Sequence, residues 1–284
     1  MSKITQALEK AARERLMRQR EQQPPMADVP PPVIKVREAA MSTVTPKIDP
    51  HIIPFSNRRS AIAEQYRMLR TNLQSLKAAQ GFRTILVTSA HHDEGKSVTA
   101  LNLALTLAQQ PDCNVLLIDA DLRKGAIQHW LGFEPHTGLS QALANGIAPQ
   151  EALVKLEAIN LTLLPAGKLV TEPSEWLDSM KMRDLVQYFK RQFDYVLVDS
   201  PPLLLVSDPS VLSRYVDGVL LVVRAGRTQR RALLEAQNRL LQVKGRIIGT
   251  VLTHAGPDNP AYYNYHRSIE QGQTNGKEVS AAIH

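Results

Sequence analysis

Apolar positions along this chain follow two rhythms that take turns. From Phe82 to Thr88 they are β-branched and closely set, the pattern of a strand buried within a sheet. From Ser97 to Ala108 they recur at Val98, Leu101, Leu105 and Ala108, the spacing of one helix face. Near-continuous apolar runs at 114–119, 161–164, 194–199, 218–223 and 247–253 are predicted as further strands. Helices are predicted over 60–78, 174–179, 182–191 and 229–242, while the segment 125–158 carries no recognisable chemistry. Strands with apolar residues on both faces, alternating with helices, imply an α/β domain: a mainly parallel sheet with helices on both faces.

The two ends follow neither rhythm. Residues 1–21 place Ile4, Leu8, Ala11, Ala12 and Leu16 on one side, an amphipathic helix whose thin apolar face suits docking better than membrane anchoring. Residues 22–56 hold eight of the eighteen prolines and read as an extended linker. The folded domain is expected over 57–255, followed by a polar, flexible tail over 256–284.

Composition narrows the class. No apolar run reaches the length needed to span a bilayer, and the N-terminus lacks a secretory hydrophobic core. The single cysteine, Cys113, cannot form an internal disulfide and fits a reduced, buried thiol of a cytoplasmic protein. Of the net charge of +7, +5 falls in residues 1–59, which hold eleven Lys/Arg against six Asp/Glu. Those charges are interspersed and lack aromatic neighbours for base stacking, so nucleic acid is not an expected partner.

The chemistry begins between the first predicted strand and its helix. Ala90-His91-His92-Asp93-Glu94-Gly95-Lys96-Ser97 has the spacing of a phosphate-binding loop, with alanine at its first position. Backbone N–H groups from Ala90 to Val98, with the helix N-terminus behind them, present positive partial charge to phosphate oxygens. Lys96 adds a full charge near the β- and γ-phosphates, and Ser97 offers a hydroxyl to Mg²⁺. An acidic Asp93 beside phosphates would repel them unless it points away.

Two predicted strands end in carboxylates: Asp119 with Asp121, and Asp199. In a parallel sheet these ends share the ligand-binding edge with the loop. Mg²⁺ needs hard oxygen ligands opposite Ser97, and Asp199 is expected to supply one, with Asp119 a second candidate. Asp119 and Asp121 lie two apart on an extended segment, so both are expected to face the γ-phosphate and to orient an acceptor hydroxyl. Arg123 is expected to pair with one of them. On the first helix, Glu64, Arg67 and Arg70 share one arc; spacing alone favours an exposed, salt-bridged face. Tyr262, Tyr263 and Tyr265 place three of the seven tyrosines in four tail positions.

Taken together, Glu64-x-x-Arg67-x-x-Arg70, the phosphate loop, the DxDxR element at 119–123, the VLVDSPP motif at 196–202 and the tyrosine cluster resemble the bacterial tyrosine kinases (BY-kinases) of the cytoplasmic capsular or exopolysaccharide type. The resemblance covers roughly residues 57–265. It implies a P-loop NTPase-like fold and Mg-ATP-dependent autophosphorylation of Tyr262, Tyr263 and Tyr265 in trans within a ring. Glu64, Arg67 and Arg70 would then be the ring contact. It further implies a membrane-embedded chain-length regulator as activator, a phosphotyrosine phosphatase as antagonist, and a peripheral position at the inner face of the membrane. The role implied is control of polysaccharide chain length and export. Two rivals stand beside this reading. One is a switch ATPase resembling ParA/MinD, which the His91 in place of that group's loop lysine disfavours. The other is a nucleotide-binding scaffold, for which all five of Lys96, Ser97, Asp119, Asp121 and Asp199 would not be needed.

Overall fold

The computed structural model describes residues 42–44, 49, 52, 60–144, 146–156 and 160–255, all within the second of the chain's two units, Val36–His284. The expected amphipathic helix over 1–21 and the tail tyrosines lie outside the described residues. Among the described residues there are eight strands: β1 (Ser42–Val44), β2 (Thr84–Ser89), β3 (Val115–Asp119), β4 (Val154–Leu156), β5 (Leu161–Leu164), β6 (Tyr195–Asp199), β7 (Gly218–Arg224) and β8 (Ile247–Thr253). They form one sheet in the order β1-β4-β5-β3-β6-β2-β7-β8. All neighbours run parallel except β4 and β5.

The helices are α1 (Ala61–Gln80), α2 (Lys96–Ala108), α3 (Ile127–Trp130), α4 (Leu139–Leu143), α5 (Pro173–Leu177), α6 (Met180–Gln192), α7 (Asp208–Leu212) and α8 (Arg230–Gln242). Local signals set their ends. Ser60 caps α1 by accepting from the Ala63 N–H at 3.1 Å, and Gly81 ends it in the left-handed region at φ 72°. Ser179 caps α6 in the same way, accepting from Met182.

The strands bury both faces. Ile85 and Val87 of β2 join one core with Leu101 and Leu105 of α2 and Leu73 of α1. Leu86, between them, joins the opposite core with Phe189 of α6 and Leu240 of α8. That alternation explains why β2, β3 and β6 read as unbroken apolar runs, and burying each such side chain stabilises the fold by about 1.5–3 kcal/mol.

All six expected strands are present. Two more, β1 and β4, are three residues each, too short for a periodic signal. β1 falls inside the stretch expected as a linker, where it adds an edge strand parallel to β4. Nearby, the Asp49 N–H donates to the Trp130 carbonyl at 3.1 Å and Ile52 is fully buried in the α1–α2 core. At these positions one apolar anchor ties the Pro-rich stretch to the domain.

Candidate functional site

The centre of the sheet places β3, β6 and β2 side by side, and all three end at the same edge. The segment leaving β2 folds into a closed loop before α2 begins. Asp93 (φ 58°) and Gly95 (φ 90°) supply the positive dihedrals that turn the backbone there. An added Cβ at Gly95 would meet Thr253 Cγ2 at 3.3 Å, so that position needs glycine on two counts. Ala90 is buried, Val98 half-buried, and His91 and His92 are exposed.

Glu94, 1% exposed, holds the loop from within. Its carboxylate accepts from the His91 N–H at 3.1 Å and from the Thr228 hydroxyl at 2.6 Å. The Thr253 hydroxyl donates to the Glu94 carbonyl at 2.8 Å, and Arg224 Nη1 to the Asp93 carbonyl at 2.9 Å. The ends of β7 and β8 therefore brace the loop from the side. Sequence reading missed this brace; its one signal was a carboxylate in a loop built for phosphate, which calls for donors from elsewhere. Asp93 points outward, two-thirds exposed, with its carboxylate 3.9 Å from Arg227, so the anticipated repulsion of phosphate is directed to solvent.

Lys96 Nζ lies 3.7 Å from Asp121 Oδ2 and donates to Ser97 Oγ at 3.1 Å. The other Asp121 oxygen accepts from the Lys124 N–H at 3.2 Å. Asp119 and Asp199 face each other as register partners on β3 and β6, and both are fully buried. Asp119 takes a main-chain donor on each oxygen, from Asp121 at 3.1 Å and Ile127 at 3.0 Å. Asp199 has no hydrogen-bond partner on either oxygen. Burial, then the Asp199 charge, pushes the Asp119 carboxyl up to about 8. Burial raises Asp199 too, opposed first by the Lys96 charge.

The expected partnership of Asp119 and Asp121 is thus divided. Asp121 faces the lysine, whereas Asp119 ties the 121–127 segment to the strand end. Arg123 pairs with neither. Its Nε and Nη2 reach the fully buried Asp208 at the start of α7, each at 3.3 Å, and Ser174 of α5 bonds the same carboxylate. No sequence spacing points across those 85 positions.

Mg²⁺ fits this site on one observation in particular. Two buried carboxylate oxygens without a partner cost several kcal/mol unless a cation or donor meets them. Ser97 and Asp199 would hold the ion, and Asp119 is close enough in register to support it. Among the described residues no group of three His, Cys, Asp or Glu forms a metal cage.

On α1, Arg67 Nε donates to Glu64 at 2.6 Å within the helix, while Arg70 Nη1 donates to the Thr106 carbonyl of α2 at 3.1 Å. Two of the three charges on that arc pair with each other, and the third ties α1 to the phosphate-loop helix. No helix among the described residues is long and apolar enough to cross a membrane.

Residues 82–242 match the family described as AAA domain. Tyrosine-protein kinase YwqD of Bacillus subtilis (strain 168) is 32% identical over 76% of this chain and 91% of its own length. A putative tyrosine-protein kinase, CapB of Staphylococcus aureus, is 29% identical over 73% of this chain and 91% of its own. Among solved structures, the kinase domain of Escherichia coli tyrosine kinase ETK superposes with a TM-score of 0.68 at 31% identity, covering 71% of this chain and 79% of that one.

Proposed function

Starting from a chain that belongs to the bacterial tyrosine-protein kinases, we propose that it transfers the γ-phosphoryl group of ATP to tyrosines of its own C-terminal tail. The observation that carries this reading is the orphaned Asp199 carboxylate beside Lys96 and Ser97, at the mouth of a braced phosphate loop.

The loop N–H groups from Ala90 to Val98 bind the phosphates of ATP. Lys96 leaves Asp121 for the β- and γ-phosphates, and its charge neutralises the oxygens as they develop in the loose transition state. Mg²⁺ held by Ser97 and Asp199 would neutralise phosphate charge in the same way. Asp121, released from Lys96, orients the acceptor hydroxyl. The tyrosine oxygen forms a bond to the γ-phosphorus as the bond to the bridging β–γ oxygen breaks. ADP leaves, and the hydroxyl proton passes to Asp121. With a tyrosine pKa near 10, that carboxylate orients the hydroxyl before it ionises it. Asp119 keeps the 121–127 segment in register while this happens.

The acceptors on this reading are Tyr262, Tyr263 and Tyr265 of a neighbouring copy. Glu64, Arg67 and Arg70 are the contact that brings copies into a ring. The domain docks at the inner face of the membrane on a membrane-embedded chain-length regulator. A phosphotyrosine phosphatase resets the tail, and the cycle governs polysaccharide chain length and export.

Incubating the purified chain with Mg-ATP and mapping phosphotyrosine by mass spectrometry tests the activity, with Lys96→Met as control. Phosphate on the tail tyrosines of the intact chain alone supports it. ATP consumed without phosphotyrosine identifies a switch ATPase, and neither product identifies a scaffold.

A further inference from the structure

Four arginines fall within eight positions from the last residue of β7 onward: Arg224, Arg227, Arg230 and Arg231. Arg224 and Arg227 contact the phosphate loop at Asp93. Arg230 and Arg231 open α8, are exposed, and make no hydrogen bond or ion pair among the described residues. Glu235, one turn after Arg231 and the natural partner for it, pairs instead with Arg239 at 2.9 Å. Asp93 is the only carboxylate within ion-pair distance of any of the four among the described residues. With Leu234, Glu235 and Asn238, the last two arginines line an open hollow of about 600 Å³.

This arrangement is unfavourable for the fold alone. Cations in the first turn oppose the helix dipole, and α8 has neither an acidic residue in that turn nor a side-chain cap. Breaking a local rule without a compensating contact marks a place where something else is bound. The four charges call for an anion with several oxygens, which arginine meets with paired N–H donors.

The chain itself carries a segment that becomes such an anion. Arg224 is the register partner of Thr253 at the end of β8, so the tail departs beside the cluster. Arg231 is seven residues from Arg224 and therefore within about 25 Å of it by any path. Tyr262 is nine residues beyond Thr253, a reach of about 30 Å. Each phosphotyrosine carries about −1.5 to −2 charges and three acceptor oxygens.

We propose that Arg227, Arg230 and Arg231 form a docking site for the chain's own tail once its tyrosines are phosphorylated. The site holds the reaction product beside the chain's own phosphate loop and keeps it from the neighbouring copy. This rests on the tail tyrosines being the acceptors; unphosphorylated, residues 256–284 carry three acidic and two basic residues and offer the cluster little.

A synthetic peptide of residues 257–270, with phosphate on Tyr262, Tyr263 and Tyr265, tests the docking without any catalysis. Its binding to the full-length Lys96→Met chain is followed by fluorescence anisotropy against the unphosphorylated peptide. Loss of the loop lysine in that background leaves the arginines as the main phosphate-binding charges. The phosphopeptide is expected to bind at least roughly tenfold more tightly, and Arg230→Ala with Arg231→Ala to remove most of that preference. Both arginines are exposed, so the double variant keeps its fold, checked by an unchanged Tm. Equal binding of the two peptides overturns the proposal, as does a preference that survives loss of the arginines. Arginine-dependent binding to phosphatidylserine vesicles with no binding of the phosphopeptide overturns it too, in favour of a membrane surface. Failure of the kinase reading is recognised separately, by absence of phosphotyrosine on the wild-type chain.

Discussion

Asp119 and Asp199 stand opposite each other in the register of β3 and β6, both fully buried, yet only one is satisfied. Asp119 accepts two main-chain N–H groups, and Asp199 accepts none. Two carboxylates side by side in a dry sheet edge repel each other, and the satisfied one stabilises the local backbone. The unsatisfied one destabilises the empty protein and is useful when a cation arrives.

Asp199→Asn follows directly. Removing the buried charge relieves both desolvation and repulsion, so the ligand-free chain is expected to gain about 1 kcal/mol or more. The variant should lose the thermal stabilisation that Mg-ATP gives the wild type. Scanning fluorimetry with and without Mg-ATP checks both; a destabilised empty variant would count against the assignment.

Gly95→Ala combines a φ of 90° with a new Cβ 3.3 Å from Thr253 Cγ2. A loss of about 1–3 kcal/mol in stability is expected, with weaker nucleotide binding. Thr253→Ser in the same chain removes the close methyl and leaves the dihedral strain, so it should recover part of the loss. Urea denaturation of the single and double variants measures the split.

Arg123→Ala leaves Asp208 buried with the Ser174 hydroxyl as its side-chain partner. The expected cost is about 2–4 kcal/mol, and Asp208→Asn added to it should restore part of that. A double-mutant cycle in urea gives the coupling. Additive costs would show that the pair is not a unit.

On α1, the three charges are expected to separate by role. Glu64→Gln and Arg67→Ala break a half-buried i,i+3 pair and should change stability by about 0.5 kcal/mol or less. Arg70→Ala removes a donor to the Thr106 carbonyl and should cost about 1 kcal/mol. If the arc joins copies, Arg67→Ala should lower self-association in sedimentation velocity without lowering Tm.

Asp217 sets an acid limit. It accepts from the N–H groups of Arg83 and Thr84, each at 2.9 Å, and from Lys190, and these donors hold its carboxyl below the usual range against the opposing pull of burial. A depressed carboxyl contributes stability that is present above its unfolded pKa near 4 and lost as pH falls through the folded value. Asp217→Ala should therefore cost about 1–3 kcal/mol at pH 7 and progressively less below pH 4, as read from urea midpoints.

What the amino-acid order made legible was set by local spacing. β2, β3 and β6 announce themselves because each buries both faces, and the loop from Ala90 to Ser97 because its spacing serves one chemistry. The braces were hidden because their partners are far apart in the chain. Glu94 meets Thr228 and Thr253, Arg123 meets Asp208, and Arg70 meets a carbonyl on α2. Asp119 was placed correctly at the strand end, but the turn that follows folds back and presents the Asp121 and Ile127 N–H groups to it. An extended-strand argument cannot contain that turn. β4 and β1 escaped because three residues carry no period.

The central claim is transfer from one copy's phosphate loop to another copy's tail. The most direct measurement mixes two full-length chains with γ-labelled Mg-ATP: Lys96→Met with its tail intact, and a chain with the working loop whose Tyr262, Tyr263 and Tyr265 are phenylalanine. The account expects label on the tail tyrosines of the Lys96→Met chain, and none when Asp199→Asn is added to its partner. No label on that tail while wild-type chain labels itself would contradict transfer between copies, and label persisting without Asp199 would contradict the site.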